Sequence, residues 1–374
     1  MHVKLIIMEI RMIKLITICW FFFLVSCSQQ AKEKLQTHEK PSGIKTVGYS
    51  ELTQNNLDSL QFMINWHVIE SDILAASEAS EKETLELLEN AKNGLLTDLI
   101  PSLKVNSVGG VFRLSNSYLK DSIQHDVYEI FNGIDFDFLE LEIDSESKMI
   151  VNIMLYSDGE FITDQIRNYG MLLKKEDFKN SLNVVPVINK ALAQEDYQTA
   201  WGYSSSIPEE FKTAYPYRSV LLRLLQDDPE LMDDYMVDLL KLSLDARFIN
   251  YIFFKQSFMS SDYELLQKSR ESLKEYVGNS VVVKVLSALL HEENGKLDLA
   301  RAEYDNIIKV FPNHPFGYVN LTEFLLETGQ DKEACSVIAK SSNVLNYKKD
   351  DWVNTLGNYN NFVSSKMFLE LWSK

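Results

Sequence analysis

Several things are scarce in this chain of 374 residues. There are 3 Cys, too few for a disulfide-stapled scaffold. There are 14 Gly and 8 Pro, which excludes collagen-like and low-complexity designs. Positive charge is in deficit, with 37 Lys+Arg against 54 Asp+Glu and a net charge of −17. Such a balance argues against binding nucleic acid by phosphate neutralisation. No apolar run approaches the ~20 residues that a membrane-spanning helix needs. Hydrophobic residues still make up 45% of the chain, enough for real cores.

The motifs of common catalytic sites are missing too. There is no G-x-S-x-G, P-loop, G-x-G-x-x-G or C-x-x-C. His291-Glu292 begins like a zinc-protease motif, but position 295 is Gly, so the second imidazole is lacking. After residue 26, no two His lie closer than 23 residues, which leaves no local metal pair. The expectation is a protein that is not an enzyme and carries no cofactor or metal. Cys335 sits in a helical pattern beside Ala334 and reads as a packed small residue rather than a nucleophile.

The N-terminus reads as an address. Lys4, Arg11 and Lys14 precede an apolar run from Leu15 to Val25, 11 residues long, which suits a secretory signal. Leu24-Val25-Ser26-Cys27 resembles the lipobox of bacterial lipoproteins, where cleavage falls before a cysteine whose thiol receives diacylglycerol. That resemblance implies a signal peptide over 1–26, a lipidated Cys27, membrane attachment through acyl chains, and a cell-envelope location. Ser28 at the next position favours the outer membrane by the same analogy, on its periplasmic or surface face. Residues 27–49 are polar and contain Pro41-Ser42-Gly43, as a tether would.

Residues 50–178 mix two periods and predict a small α+β domain. Leu57, Leu60, Met63 and Ile64, then Leu85, Leu88, Leu95, Leu96 and Leu99, recur at helical spacing. Ser80 and Glu83 have the spacing of a capping box. Leu139, Leu141 and Ile143 alternate with Glu140, Glu142 and Asp144, and Met149 to Tyr156 follows after a short turn. This predicts a β-hairpin with one covered and one wet face. Val111 to Leu114 offers a further strand. The acidic row Asp135, Asp137, Glu140, Glu142 and Asp144 is expected to be the solvated face of a strand. Alternate positions lie ~7 Å apart, too far to share one small cation.

Beyond 179 the pattern is helical to the end, and the fold class expected is mainly α. Gly295 and Gly329 are 34 residues apart, as are Ala300 and Ala334, with Leu266 one step earlier. Helix breaks recur at Ser260-Ser261-Asp262, Asn294-Gly295-Lys296 and Thr328-Gly329-Gln330. Ala300, then Tyr304, then Pro312 gives a small-residue, aromatic, proline sequence along the second helix of a pair. This resembles the tetratricopeptide repeat. About five helix pairs fit residues 179–349, counting one with a helix from Asn183 to Leu192 and an inter-helix turn at Glu195–Ala200, where Asp196 is a candidate cap, and one over 219–242; residues 350–374 suit a terminal cap.

The repeat resemblance implies an α-solenoid whose first helices line a concave groove for a protein or peptide partner. Phe248, Tyr251, Lys255, Phe258, Phe316, Val319 and Glu323 are the groove residues it implies, with Val282, Val285 and Leu289 weighted toward core. The function expected is a scaffold or adaptor in envelope assembly or transport. Two alternatives stand beside it. One is a hydrolase with its site in 50–178. The other is a glycan- or nutrient-uptake lipoprotein using Trp201, Tyr203, Tyr215 and Tyr217 as aromatic platforms.

Overall fold

The computed structural model describes residues 52–76, 81–106, 111–131, 136–212, 214, 217–218, 220, 245–260 and 263–373. Within these the protein is mainly helical, with one small antiparallel sheet of four strands. Two compact units divide it. The first is drawn from Met1–Ser260 and Glu271–Gly278, the second from Ser261–Arg270 and Asn279–Lys374.

The first unit opens with a 3-10 turn at Gln54–Ser59, α1 at Leu60–Met63 and α2 at Trp66–Ala76. The helix expected through this stretch is interrupted, because Ile64 leaves the helical conformation and bridges to Ile150 in the sheet. Asn65 N–H then donates to the Ile150 carbonyl at 2.8 Å, which covers part of that sheet edge. α3 at Glu81–Gly94 continues through a π turn at Leu95–Leu99 into α4 at Ile100–Asn106. Pro101 has no N–H to donate, and the widened turn just before it is where the regular ladder gives way.

The strands are β1 at Val111–Lys120, β2 at Ile123–Phe131, β3 at Phe136–Asp144 and β4 at Ile150–Leu155, in the order β1-β2-β3-β4. The β3–β4 hairpin is the one the alternation predicted. β2 was not anticipated. It is joined to β1 by Asp121 and Ser122, both at positive φ (50° and 69°), the geometry of a tight two-residue hairpin turn. A bulge between Leu114 and Asn116 lets β1 keep its pairing with β2 after an extra residue.

One sheet face carries Tyr128, Ile130, Leu139, Leu141, Ile143, Ile153 and Leu155, packed on residues of α2, α3, α4 and α5 (Ile162–Leu172). Burying each such aliphatic side chain contributes about 1.5–3 kcal/mol. The opposite face is covered by α9 at Ala246–Ser260. A smaller core joins Phe178, Ile188, Leu192, Ala200, Phe211 and Tyr217 around α6 at Glu176–Ser181, α7 at Val184–Ala193 and α8 at Tyr197–Ser204. Asp196 caps α8, its Oδ1 accepting from Thr199 N–H at 3.1 Å. The helix expected over 183–192 is therefore present as α7, followed by α8, both within the first unit. The helix pair expected at 219–242 lies outside the described residues apart from Val220, as do Ser80 of the expected capping box and residues 1–49.

α10 at Tyr263–Val277 runs across the division. The second unit then contains α11 at Val281–Glu293, α12 at Leu297–Val310, α13 at Pro315–Glu327 and α14 at Asp331–Leu345. Ser280 caps α11 through Val283 N–H at 3.1 Å, and His314 caps α13 ahead of Pro315. Short helices α15 (Lys349–Thr355), α16 (Asn360–Val363) and α17 (Lys366–Glu370) end the chain. They bury Trp352, Phe362 and Phe368, while Asn354, Asn358, Asn360 and Asn361 face water. No helix among the described residues is long and apolar enough to cross a membrane.

Candidate functional site

The 34-residue spacing is expressed in backbone and packing alike. Gly295 and Gly329 join the helices of their pairs with φ of +69° and +73°. A Cβ at either position would meet nothing within 4 Å, so it is the left-handed backbone that calls for glycine, not crowding. Leu266, Ala300 and Ala334, one period apart, are all 0% exposed. Tyr304 is buried one helical turn after Ala300 and meets the Phe324 ring at 5.7 Å. Pro312 is exposed two residues beyond the end of α12. Gly317 marks a close approach that the sequence reading passed over, since a Cβ there would lie 2.9 Å from Ile308. Second helices of consecutive pairs are linked by ion pairs. Arg270 pairs with Glu303, and Arg301 grips Glu333 with both terminal nitrogens at 2.7 and 2.8 Å.

The expected groove residues are split between the units. Phe316, Val319 and Glu323 lie half-buried on α13. Val282 and Val285 are buried core, and Leu289 is half-buried. Phe248 and Tyr251 require a correction, because neither is on a surface. Phe248 packs on Gly159 and under the Arg218 guanidinium. Tyr251 sits edge-on to Phe136 and Phe138 and donates its hydroxyl to the Phe136 carbonyl at 3.0 Å. Their helical spacing is that of a core face turned to the sheet. Lys255 follows them, its ammonium over the Phe136 and Tyr251 rings. Phe258 lies on α9, with its side chain outside the described residues, and Cys27 is outside them too. Cys335 is buried, and burial pushes its thiol up, as an unreactive packed residue requires.

The acidic row is corrected as well. Asp137 and Glu140 face the interior, Glu142 and Asp144 are half-buried, and Asp135 lies outside the described residues. Asp144, the last residue of β3, accepts from Ser147 N–H at 2.7 Å. Asp137 accepts from Phe138 N–H, Ser157 N–H and Ser157 Oγ. Burial lifts its carboxyl to about 6, and lifts neighbouring Asp158 to about 7 with help from the Asp137 charge.

Glu140 stands at the centre of a polar knot. Oε1 accepts from Tyr118 Oη at 2.8 Å and Arg247 Nη1 at 2.6 Å, and lies 2.7 Å from His125 Nδ1. Oε2 accepts from Tyr156 Oη at 2.8 Å. The Tyr118 and His125 rings are stacked, and Asp245 holds the other side of Arg247 at 2.5 and 2.8 Å. Burial would raise the Glu140 carboxyl, but the bond to His125 and the Arg247 charge outweigh it and hold it below its ordinary value. An ionised carboxylate with both oxygens engaged cannot serve as a general acid at neutral pH. The knot ties α9 to the sheet. Tyr118, His125 and Glu140 lie on one face of three adjacent strands, which a paired reading of β1, β2 and β3 would have revealed. Nothing local in the sequence points to Arg247.

Of the aromatics weighed as a glycan platform, Tyr203 is exposed, Trp201 half-buried and Tyr217 fully buried against Phe178. Tyr215 lies outside the described residues. Among the described residues, no group of three His, Cys, Asp or Glu is placed to hold a metal ion. In comparisons with known proteins, no family model matches the chain, and no curated protein matches it.

Proposed function

We propose that this protein is a lipoprotein of the cell envelope, anchored in the outer membrane through Cys27, that binds a protein or peptide partner and performs no catalysis itself. Its C-terminal helix pairs form a tetratricopeptide-like solenoid, and the protein acts as a scaffold or adaptor in envelope assembly or transport. The observation that carries this reading is the repeated packing of Leu266, Ala300 and Ala334, with left-handed Gly295 and Gly329 in matching turns. Helix pairs repeated at one period suit an extended surface for a peptide or a partner helix. The acidic composition supports a protein rather than a nucleic-acid partner. The contact face is α13, with Phe316 and Val319.

The test is crosslinking in intact cells with a C-terminally tagged protein, comparing wild type with Phe316→Ala and Val319→Asp. A defined partner captured by wild type and lost from both folded variants supports the adaptor. Capture that ignores both changes sinks it.

A further inference from the structure

The end of α11, the C-terminal half of α13 and the terminal segment share a knot of acids and phenols. Glu292 lies in the last turn of α11, and Glu323 and Glu327 lie one turn apart on α13. The Tyr304 hydroxyl of α12 bonds to Glu292. Tyr359, the residue before α16, donates its Oη to Glu327 Oε1 at 2.9 Å. One oxygen of Glu292 is buried with no hydrogen-bond partner. The charges acting on Glu323 are the carboxylates of Glu327 and Glu292, and Glu293 adds its charge at Glu292. Both tyrosines feel all three acids. A phenol can donate to one carboxylate at a time, so full ionisation leaves like charges facing each other in partly buried positions.

The terminal segment tied down here is not ornamental. It buries Trp352, Phe362 and Phe368, and α17 packs against α14, the last long helix of the chain. Whatever loosens Tyr359 loosens the cover of that helix.

We propose that Glu292 and Glu323, beside the Tyr359–Glu327 hydrogen bond, form a proton-operated latch. With protons held on Glu292 and Glu323, Tyr359 stays seated on α13; when both are ionised, like-charge repulsion loosens the terminal segment. Burial lifts Glu292 and Glu323 to about 7, and the neighbouring carboxylates add to the shift. A raised carboxyl gives stability that is full below the ordinary value near 4.5 and lost as pH rises through about 7. The latch is thus closed under mild acid and slack under mild alkali.

Hydrogen–deuterium exchange on the purified full chain in detergent tests this. Protection over 346–373 is read at pH 5, 6.5 and 8, normalised to intrinsic exchange, for wild type and for Glu292→Gln/Glu323→Gln. Taking the wild-type-to-variant ratio cancels slopes from other groups. The expected ratio falls by roughly tenfold or more between pH 5 and 8, tenfold being the effect of one pKa unit on one proton. A ratio constant with pH overturns the latch. Should the double variant misfold, Tyr359→Phe serves instead: it should lower protection at pH 5 and shrink the pH 5 to 8 difference, and a profile identical to wild type overturns the proposal.

Discussion

Arg247 Nη1 meets Glu140 Oε1 at 2.6 Å across 107 residues of sequence. The carboxylate is fully buried and the guanidinium nearly so, with side-chain exposures of 0% and 11%. Removing Arg247 would strand a charge inside the first unit. Arg247→Ala should therefore cost about 3–5 kcal/mol in denaturant unfolding. Glu140→Gln/Arg247→Met, which removes both charges, should cost clearly less than Arg247→Ala alone. Equal losses would show that packing, not the unpaired charge, sets the penalty.

The same pair fixes a pH dependence. Because Glu140 is held below its ordinary value near 4.5, its contribution is full above that value and lost as pH falls through the lowered one. Acid unfolding of the first unit should begin at higher pH in Arg247→Met than in wild type, read by circular dichroism. Coincident acid transitions would remove Arg247 from the account.

How far the sequence reached can be judged from this pair. The β3–β4 hairpin was legible because Leu139, Leu141 and Ile143 alternate with acids. That alternation also misled, since it made Glu140 look wet. The covering helix arrives a hundred residues later, and no local pattern announces it. β2 was missed because His125 to Phe131 mixes apolar and polar residues on both faces, both of which are covered. In the second unit the helix breaks at Gly295 and Gly329 were legible, because a left-handed turn leaves a mark in the sequence that burial does not. Phe248 and Tyr251 share the helical spacing expected of a groove, but spacing alone cannot tell a ligand face from a core face.

Gly295 and Ala300 make separable demands. Gly295→Ala should cost about 1–2 kcal/mol, because a Cβ is disfavoured in a left-handed conformation even with open space around it. Ala300→Trp should cost about 1–3 kcal/mol or more by overpacking a site with no exposed surface. Both are read as shifts of the unfolding midpoint of the second unit. An unchanged midpoint in Ala300→Trp would mean that the helices are not in close contact there.

His291 should give the second unit an acid limb opposite in sign to the raised carboxyls of Glu292 and Glu323. It is buried beside the Tyr263 ring, with Nδ1 unpartnered. Burial lowers its pKa and Arg270 and Lys296 lower it further, while Glu303 opposes them. A depressed histidine contributes stability above its ordinary value near 6.5, and that contribution is lost as pH falls below it. His291→Gln should flatten the stability profile between pH 6.5 and 5. A wild-type slope that persists in the variant would assign it elsewhere.

Membrane attachment can be tested apart from the folded units. If Cys27 carries the lipid, Cys27→Ala should move the protein from the membrane to the soluble fraction and abolish incorporation of a fatty-acid label. The folded units should be unaffected, because the position lies well before the first described helix. The acidic body would repel anionic headgroups, so no residual electrostatic attachment is expected once the acyl chains are gone. Fatty-acid label that persists in Cys27→Ala would place the lipid elsewhere. Membrane association that persists without label would point to retention through a partner, and crosslinking Phe316→Ala in the Cys27→Ala background would then show whether α13 supplies that hold.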